Sequence, residues 1–375
     1  MMPAVPSPET SVEGARASDR RHATSMRVQA EAWESTAMHM DDHRPRRRTR
    51  PGLGLLACLP AMALVTAAAS AALGLLGSPH ADAGEPRSKV ILNGKLVQVT
   101  FNDGDSFRVL AGDMQGAKAR LSGYNTLESY GPVHQWGTWT EKELYVMAKM
   151  ATYHARKGVW ECETDGATDT YGRMLVWCPD LAEDLVRRGM AHVLTVGDEP
   201  GDPKLVEAQR EAIEARRGLW SHGVPDFILT SLHSAEEDSD GSGTYNRLVS
   251  TEDGHSVKWK HQNRYVECSK VCHMIHDVDA ATIDEVAKAL REDSAVATIV
   301  EPLDDQALRK VVSDFARFRH VDREVAKDDR DALTRHLQGY AAAGRFGNGQ
   351  PEPGACMVHI DFKRRFGTGR AACLK

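Results

Sequence analysis

From residue 97 to residue 128 the chain alternates between apolar and polar positions with a period of two. Val97, Val99 and Phe101, then Phe107 and Val109, then Ala119 and Leu121 form the apolar phase, interrupted by the turn Asn102-Asp103-Gly104-Asp105 and again near Gly112. Alternation broken by Asp-Gly turns predicts consecutive antiparallel strands. The period then changes. Thr140 and Glu143 form a capping box ahead of Leu144, Val146, Met147, Met150 and Ala151, so the pattern predicts a helix over 141–156, stopped by Gly158. Residues 159–163 and 174–178 return to strand alternation around a polar turn; paired as a hairpin, they would bring Cys162 and Cys178 close enough to bridge. Asp180 opens a short helix ended by Gly189. Asp202-Pro203 opens another, with the stripe Leu205, Ala208, Ala212, Ile213 and Ala215 up to Gly218. Strands, a helix, strands and two more helices make an α+β unit with a small barrel at its centre.

Residues 234–243 are acidic and Ser/Gly-rich, and read as a linker. They divide the chain into a unit over 84–233 and a separate small α+β unit over 244–375. In the second unit the patterning predicts strands at 245–250 and 256–260, helices at 282–291, 304–318 and 329–343, and a last strand at 356–362. No catalytic constellation is visible there. His261, His273 and His276 are scattered, and Lys363, Arg364 and Arg365 read as a solvated basic face.

Residues 1–50 are polar, read as disordered, and end in the basic run Arg44, Arg46, Arg47, Arg48 and Arg50. No charge occurs from 52 to 77, and Ala81-Asp82-Ala83 follows. The segment 51–83 therefore reads as a secretory signal cleaved after Ala83 or, since the apolar run could span a bilayer, as a retained membrane anchor. Met38 and Met40 are alternative starts, and Cys58 has the local context of a lipoprotein cysteine but lies early in the apolar run. Either reading exports the remainder to the periplasm or beyond. The six other cysteines, Cys162, Cys178, Cys268, Cys272, Cys356 and Cys373, favour disulfides in such a compartment; a zinc site of Cys268, Cys272, Cys356 and Cys373 is the alternative. A net charge of −6 excludes a general nucleic-acid-coating protein, so any polyanion must be captured at a local basic site.

That charge balance directs attention to the polar residues near the ends of the first strands: Asp105, Arg120, Asn125 and Glu128. Two carboxylates, an amide oxygen and a guanidinium are the groups that hold hard cations and phosphates. In order and spacing these motifs resemble the staphylococcal nuclease (thermonuclease) family. Its Asp-Gly-Asp turn is similar to Asp103-Gly104-Asp105-Ser106, its Arg…Asp-Thr-Pro-Glu run to Arg120…Asn125-Thr126-Leu127-Glu128, and its Asp-x-Tyr-Gly-Arg to Asp169-Thr170-Tyr171-Gly172-Arg173. Leu185-Val186-Arg187-Arg188-Gly189 and Gly218-Leu219-Trp220-Ser221 complete the set, over residues 95–230.

The resemblance implies an OB-fold, a five-stranded β-barrel with three helices, carrying a Ca²⁺-dependent nuclease site for single-stranded DNA or RNA. Asp105, Asn125 and the Thr126 carbonyl would hold the metal, Glu128 would act as general base, Arg120 and Arg173 would clamp phosphate, and Tyr171 would bind substrate. Departures from the family pattern weaken this. Asn125 replaces a metal-binding Asp and removes one negative charge, Leu127 replaces the Pro before the base, and Thr170 replaces a basic residue. The family's base-stacking tyrosines fall at Thr195 and Gly197, which cannot stack. Plainer readings stand beside these: an Asp-Gly hairpin turn, Asn125 as a turn residue, Arg173 paired to Asp169, Tyr171 as packing, structural roles for His134 and His192, and Trp136, Trp139, Trp160, Trp177 and Trp220 as core and rim. Two functions follow: an exported nuclease, or a nuclease-fold binding module with weakened or lost catalysis.

Overall fold

The computed structural model describes residues 87–238, 243–347, 349–360 and 371–374. The basic run, the apolar run at 52–77 and the Lys363-Arg364-Arg365 patch lie outside the described residues, as do 239–242 of the linker.

The meander read from the alternation is present, with one strand added upstream. Strands β1 (Ser88–Leu92) and β2 (Lys95–Asp103) pair antiparallel around Asn93-Gly94, both at positive φ, as a two-residue hairpin turn demands. β3 (Ser106–Val109) and β4 (Lys118–Leu121) continue antiparallel. The capped helix is α1 (Glu141–Lys157): the Glu143 N–H donates to Thr140 Oγ1 at 3.3 Å, and the Thr140 N–H to Glu143 Oε2 at 3.0 Å.

Strands β7 (Val159–Cys162) and β8 (Met174–Val176) do not pair along their length. β7 adds to β1 and β8 to β4, both parallel, giving the order β7-β1-β2-β3-β4-β8. This mixed sheet of six strands, where five were expected, curls until its edges meet at the Cys162–Cys178 disulfide and at two Glu163–Trp177 backbone hydrogen bonds of 2.8 Å. Inside the curl lie Phe101, Phe107, Leu121, Tyr124, Leu181 and Leu185, all fully buried. Helices α2 (Pro179–Arg187) and α3 (Pro203–Glu214) follow as expected, with β9 (Ala191–Val193) pairing to β5 (Tyr124–Thr126).

Two strand pairings cross the expected boundary between the units. β10 (Phe227–Ser231) joins β11 (Thr244–Ser250) and β12 (Ser256–His261) in one sheet. Also, β14 (Glu352–Val358), which stops short of residue 362, is sandwiched between β13 (Lys270–Ile275) and β6 (Val133–Gln135), with Met357 opposite His134. A second core spans both parts, uniting Leu127, Trp136, Trp139 and Trp220 with Leu248, Phe318 and Met357. The C-terminal part is therefore not packed as a separate domain. Only its helices, α4 (Ala280–Glu292), α5 (Ala297–Val300), α6 (Asp305–Phe318) and α7 (Lys327–Ala342), enclose a core of their own. Cys268–Cys373 and Cys272–Cys356 are disulfides, so the zinc alternative fails, and three disulfides place the chain in an oxidising compartment. Among the described residues no helix is long and apolar enough to cross a membrane.

The loop carrying Thr195 and Gly197 is held by the turn ahead of β12. Thr195 N–H donates to Gly254 O at 2.8 Å, Gly201 N–H to Asp253 O at 2.8 Å, and Ser256 N–H to Gly197 O at 2.9 Å. Gly254, at φ +82°, is required here because a Cβ would meet Val193 Cγ1 at 2.5 Å. Beneath the turn, buried His255 bridges Asp253 (2.5 Å) and Asp322 (2.7 Å), and Arg323 pairs with Asp253. Burial opposes the imidazolium, but the hydrogen bonds it donates to both carboxylates outweigh that and raise its pKa to about 9. Burial likewise opposes the Asp322 carboxylate, and His255 nonetheless holds it at about 2.

A raised histidine pKa stabilises the fold below the ordinary value and loses that effect as pH rises through the folded one; a lowered carboxylate pKa does the reverse. The triad's contribution should be greatest from about pH 4 to 6.5 and decline by on the order of 3 kcal/mol toward pH 9.5. Thermal midpoints across pH check this. A His255→Gln variant should lose the alkaline decline, and an unchanged decline would refute the assignment.

Candidate active site

The Asp103-Gly104-Asp105 turn is built as an Asx turn. Asp103 Oδ1 accepts from Ser106 Oγ at 2.6 Å and from the Asp105 N–H at 3.3 Å, which aims Asp105 inward. Gly104 is dictated by contact: a Cβ would lie 2.5 Å from Thr126 Cγ2 and 3.0 Å from Ala151 Cβ. Its carbonyl accepts from buried Tyr124 Oη at 2.9 Å. The first carboxylate of the motif thus shapes the turn, and the second faces the site.

Asp105 is buried, and its Oδ2 accepts from the Thr126 N–H at 2.7 Å and from Thr126 Oγ1 at 3.2 Å. Its Oδ1 pairs with Arg120 Nη1, while Arg120 Nη2 donates to Asn125 Oδ1 at 2.6 Å. Asn125 Nδ2 donates to the Thr126 carbonyl at 2.8 Å and faces His192 Nε2 at 3.4 Å, across the β5–β9 register. Burial pushes the His192 pKa down to about 4, so the ring is neutral at pH 7. With Nδ1–H donating to Val193 O at 2.9 Å, Nε2 is left to accept from Asn125. That turns the Asn125 oxygen toward Arg120. Four of the residues singled out in the sequence, Asp105, Arg120, Asn125 and Thr126, therefore form one connected cluster.

Burial and the Asp105 charge drive the Asp103 pKa well above the carboxylate range, with the Glu128 charge adding to the effect. Burial opposes the Arg120 cation, but Asp105, Asp103 and Glu128 together raise its pKa and keep it charged. Glu128 is therefore within electrostatic reach of both. It is half-buried, and its backbone N–H donates to buried His134 Nε2 at 3.3 Å. His134 lies on β6, the strand held by β14.

Arg173 stands apart from this cluster. Its Nε donates to Asp169 Oδ2 at 2.7 Å, Asp169 Oδ1 accepts from the Tyr171 and Arg173 N–H groups, and the guanidinium lies 5.5 Å from the Tyr171 ring. Among the described residues no hydrogen bond or ion pair joins Arg173 to Asp105, Arg120 or Asn125. Register nonetheless puts it on the same face as Arg120. Arg120 is paired to Leu175, two residues beyond Arg173, and Met174 between those two is paired to core residue Ala119 and packs inward with it. Tyr171 is 75% exposed, which removes the packing reading.

Comparison with known proteins bears on the same residues. Residues 118–222 match the family model of the staphylococcal nuclease homologues. The matched stretch runs from β4 past α3 and contains Arg120, Asn125, Thr126, Glu128, Tyr171 and Arg173; Asp105 lies ahead of it. No curated protein matches the chain. The family is one of nuclease-type hydrolases acting on nucleic acid, with an OB-type fold. Sequence reading missed two supports of the site, the His192 contact to Asn125 and the His134 contact to Glu128. Both histidines were read as structural. Their partners are fixed by strand register, for which neither carries a local signal.

Proposed function

We propose that this protein is an exported nuclease that hydrolyses phosphodiester bonds of single-stranded DNA or RNA by in-line attack of water. The observation that carries the proposal is the convergence of Asp105, Arg120, Asn125 and Thr126 beside Glu128. Among the described residues no group of three His, Cys, Asp or Glu side chains is placed to hold a metal. A cation here would instead take one carboxylate oxygen of Asp105, the Asn125 amide oxygen and the Thr126 carbonyl. These all-oxygen donors suit Ca²⁺ in kind, with one charge fewer than the family pattern. When bound, Ca²⁺ supplies polarisation of a phosphate oxygen. Glu128 accepts the proton of the attacking water. Arg120 exchanges the neutral Asn125 oxygen for a charged phosphate oxygen, a bond about twice as strong. Arg173 and Tyr171 bind the chain further along the same face.

One observation favours the non-catalytic reading. Every oxygen of the donor set already has a hydrogen-bond partner within the protein. Incubating the full chain with labelled single-stranded DNA, with calcium or with chelator, separates the two readings. Calcium-dependent cleavage supports the nuclease, and binding without cleavage supports the module.

A further inference from the structure

The curled sheet keeps a cavity at the seam where its two edges meet. β7 and β8 pair elsewhere and come together at the Cys162–Cys178 disulfide and at the antiparallel contact of Glu163 with Trp177. The space beside that contact measures about 810 Å³, within the range that holds a small molecule. None of Asp105, Arg120, Asn125, Glu128 and Arg173 lines it. Its walls are built without a ligand. Asn93 Nδ2 donates to Thr164 O at 2.8 Å, the Thr164 N–H to Asn93 Oδ1 at 3.0 Å, and Thr164 Oγ1 to Leu175 O at 2.7 Å. Gly123 seats the Trp177 ring: a Cβ there would meet Trp177 Cζ3 at 2.5 Å.

Strand register sets a carboxylate beside the apolar floor at each end. Ile91 lies opposite Glu161, and Trp177 lies opposite Glu163, with Leu175 completing the floor. Asp165 and Asp180 also line the cavity, and no Lys, Arg or His does. These two aspartates have local duties. Asp165 Oδ1 accepts from the Ala167 N–H at 2.9 Å, and Asp180 sits in the first turn of α2, where the helix dipole favours an anion. Glu161 and Glu163 are exposed and have no such duty: among the described residues neither side chain has a hydrogen bond or ion pair. They stand two residues apart on one side of the chain, about 6.6–6.8 Å along it, and repel each other until a cation is present.

We propose that this cavity binds an aliphatic polyamine, with its methylenes over Ile91, Leu175 and Trp177 and its ammonium groups at Glu161 and Glu163. Charge complementarity selects a cation, and the apolar floor between the carboxylates selects hydrocarbon between the charges. An inorganic cation lacks the second feature, and among the described residues no group of three His, Cys, Asp or Glu side chains is placed to hold one. The ammonium heads keep their hydration at the rim while the chain covers the floor, as a lysine side chain does on an apolar surface. The Trp177 ring adds a cation–π contact. The site shares no residue with the proposed chemistry and stands or falls independently of the nuclease reading.

The test is calorimetric titration of spermidine into the full chain at physiological ionic strength. One molecule should bind the parent, and a Glu161→Gln/Glu163→Gln variant should bind on the order of tenfold more weakly, the loss expected for two solvent-exposed ion pairs. Glu285→Gln/Glu292→Gln on α4 changes the net charge equally and should leave the affinity unchanged. Because the first variant removes a repulsive pair, its thermal midpoint should equal or exceed the parent's, so weaker binding cannot be assigned to unfolding. Absence of saturable heat overturns the proposal, as does an equal loss in both double variants, which would mean long-range charge alone. Magnesium chloride binding as tightly, with the same dependence on Glu161 and Glu163, overturns the role of the apolar floor. Trilysine binding more tightly than spermidine would make a protein side chain the occupant and overturn the polyamine.

Discussion

Replacing Glu128 by Gln is expected to lower kcat on single-stranded DNA by about 10²–10⁴-fold, the range for losing a general base. KM should change little. Glutamine keeps the shape and the backbone N–H that donates to His134, so the loop stays in place. What is lost is a group able to take the proton of water. One further consequence separates this role from a purely electrostatic one. The Glu128 charge helps to hold the Asp103 pKa up and the Arg120 pKa up, so the variant should relax both. The residual rate should consequently lose the dependence on the ionisation of residue 128 while calcium dependence persists. Single-turnover rates over pH measure this, and a kcat within a few-fold of the parent would assign the base elsewhere.

The second large effect is expected far from that carboxylate in sequence. A Cys272→Ser/Cys356→Ser variant should lose about 2–5 kcal/mol of stability, because an 84-residue separation is closed by this bond. The local consequence is sharper. Cys356 lies opposite Gln135, Met357 opposite His134 and Val358 opposite Val133, so β14 is the partner that holds β6. Loosening β14 loosens His134 and with it the loop of Glu128. Amide exchange at 133–135 should accelerate toward the rate of global opening, and kcat should fall more than affinity for the strand. Protection at 133–135 that is unchanged in the variant would mean that β6 is held by the core around Trp136 alone.

What could be read from the sequence was whatever is decided locally. The capping box of Thr140 and Glu143 fixes the start of α1 within four residues, and the Asp-Gly turns and period-two alternation fix β2, β3 and β4. The resemblance supplied the site residues, and four of them do converge. Pairings between distant segments were not legible. β6 meets β14 more than two hundred residues later, and nothing in Val133-His134-Gln135 signals a strand waiting for a partner. The alternation at 159–163 and 174–178 suggested a hairpin, and the two segments do meet antiparallel at Glu163 and Trp177 beside the Cys162–Cys178 disulfide, but along their length they pair with β1 and β4 instead. Thr195 and Gly197 looked like losses of stacking residues. In the fold their backbone groups hold the turn at 253–256: the Thr195 N–H donates to Gly254 O, and Gly197 O accepts from the Ser256 N–H.

Asn125 remains the residue on which the chemistry turns. Its oxygen is shared with Arg120, its nitrogen is fixed by Thr126 and neutral His192, and it brings no charge to the cation. Calorimetric titration of Ca²⁺ into the parent and into an Asn125→Asp variant therefore tests the shared cation and phosphate site most directly. One ion should bind the parent weakly and the variant more tightly, on the order of tenfold, since ligand charge sets calcium affinity. Equal affinities, or no binding heat in either protein, would show that Asp105, Asn125 and Thr126 do not form a calcium site.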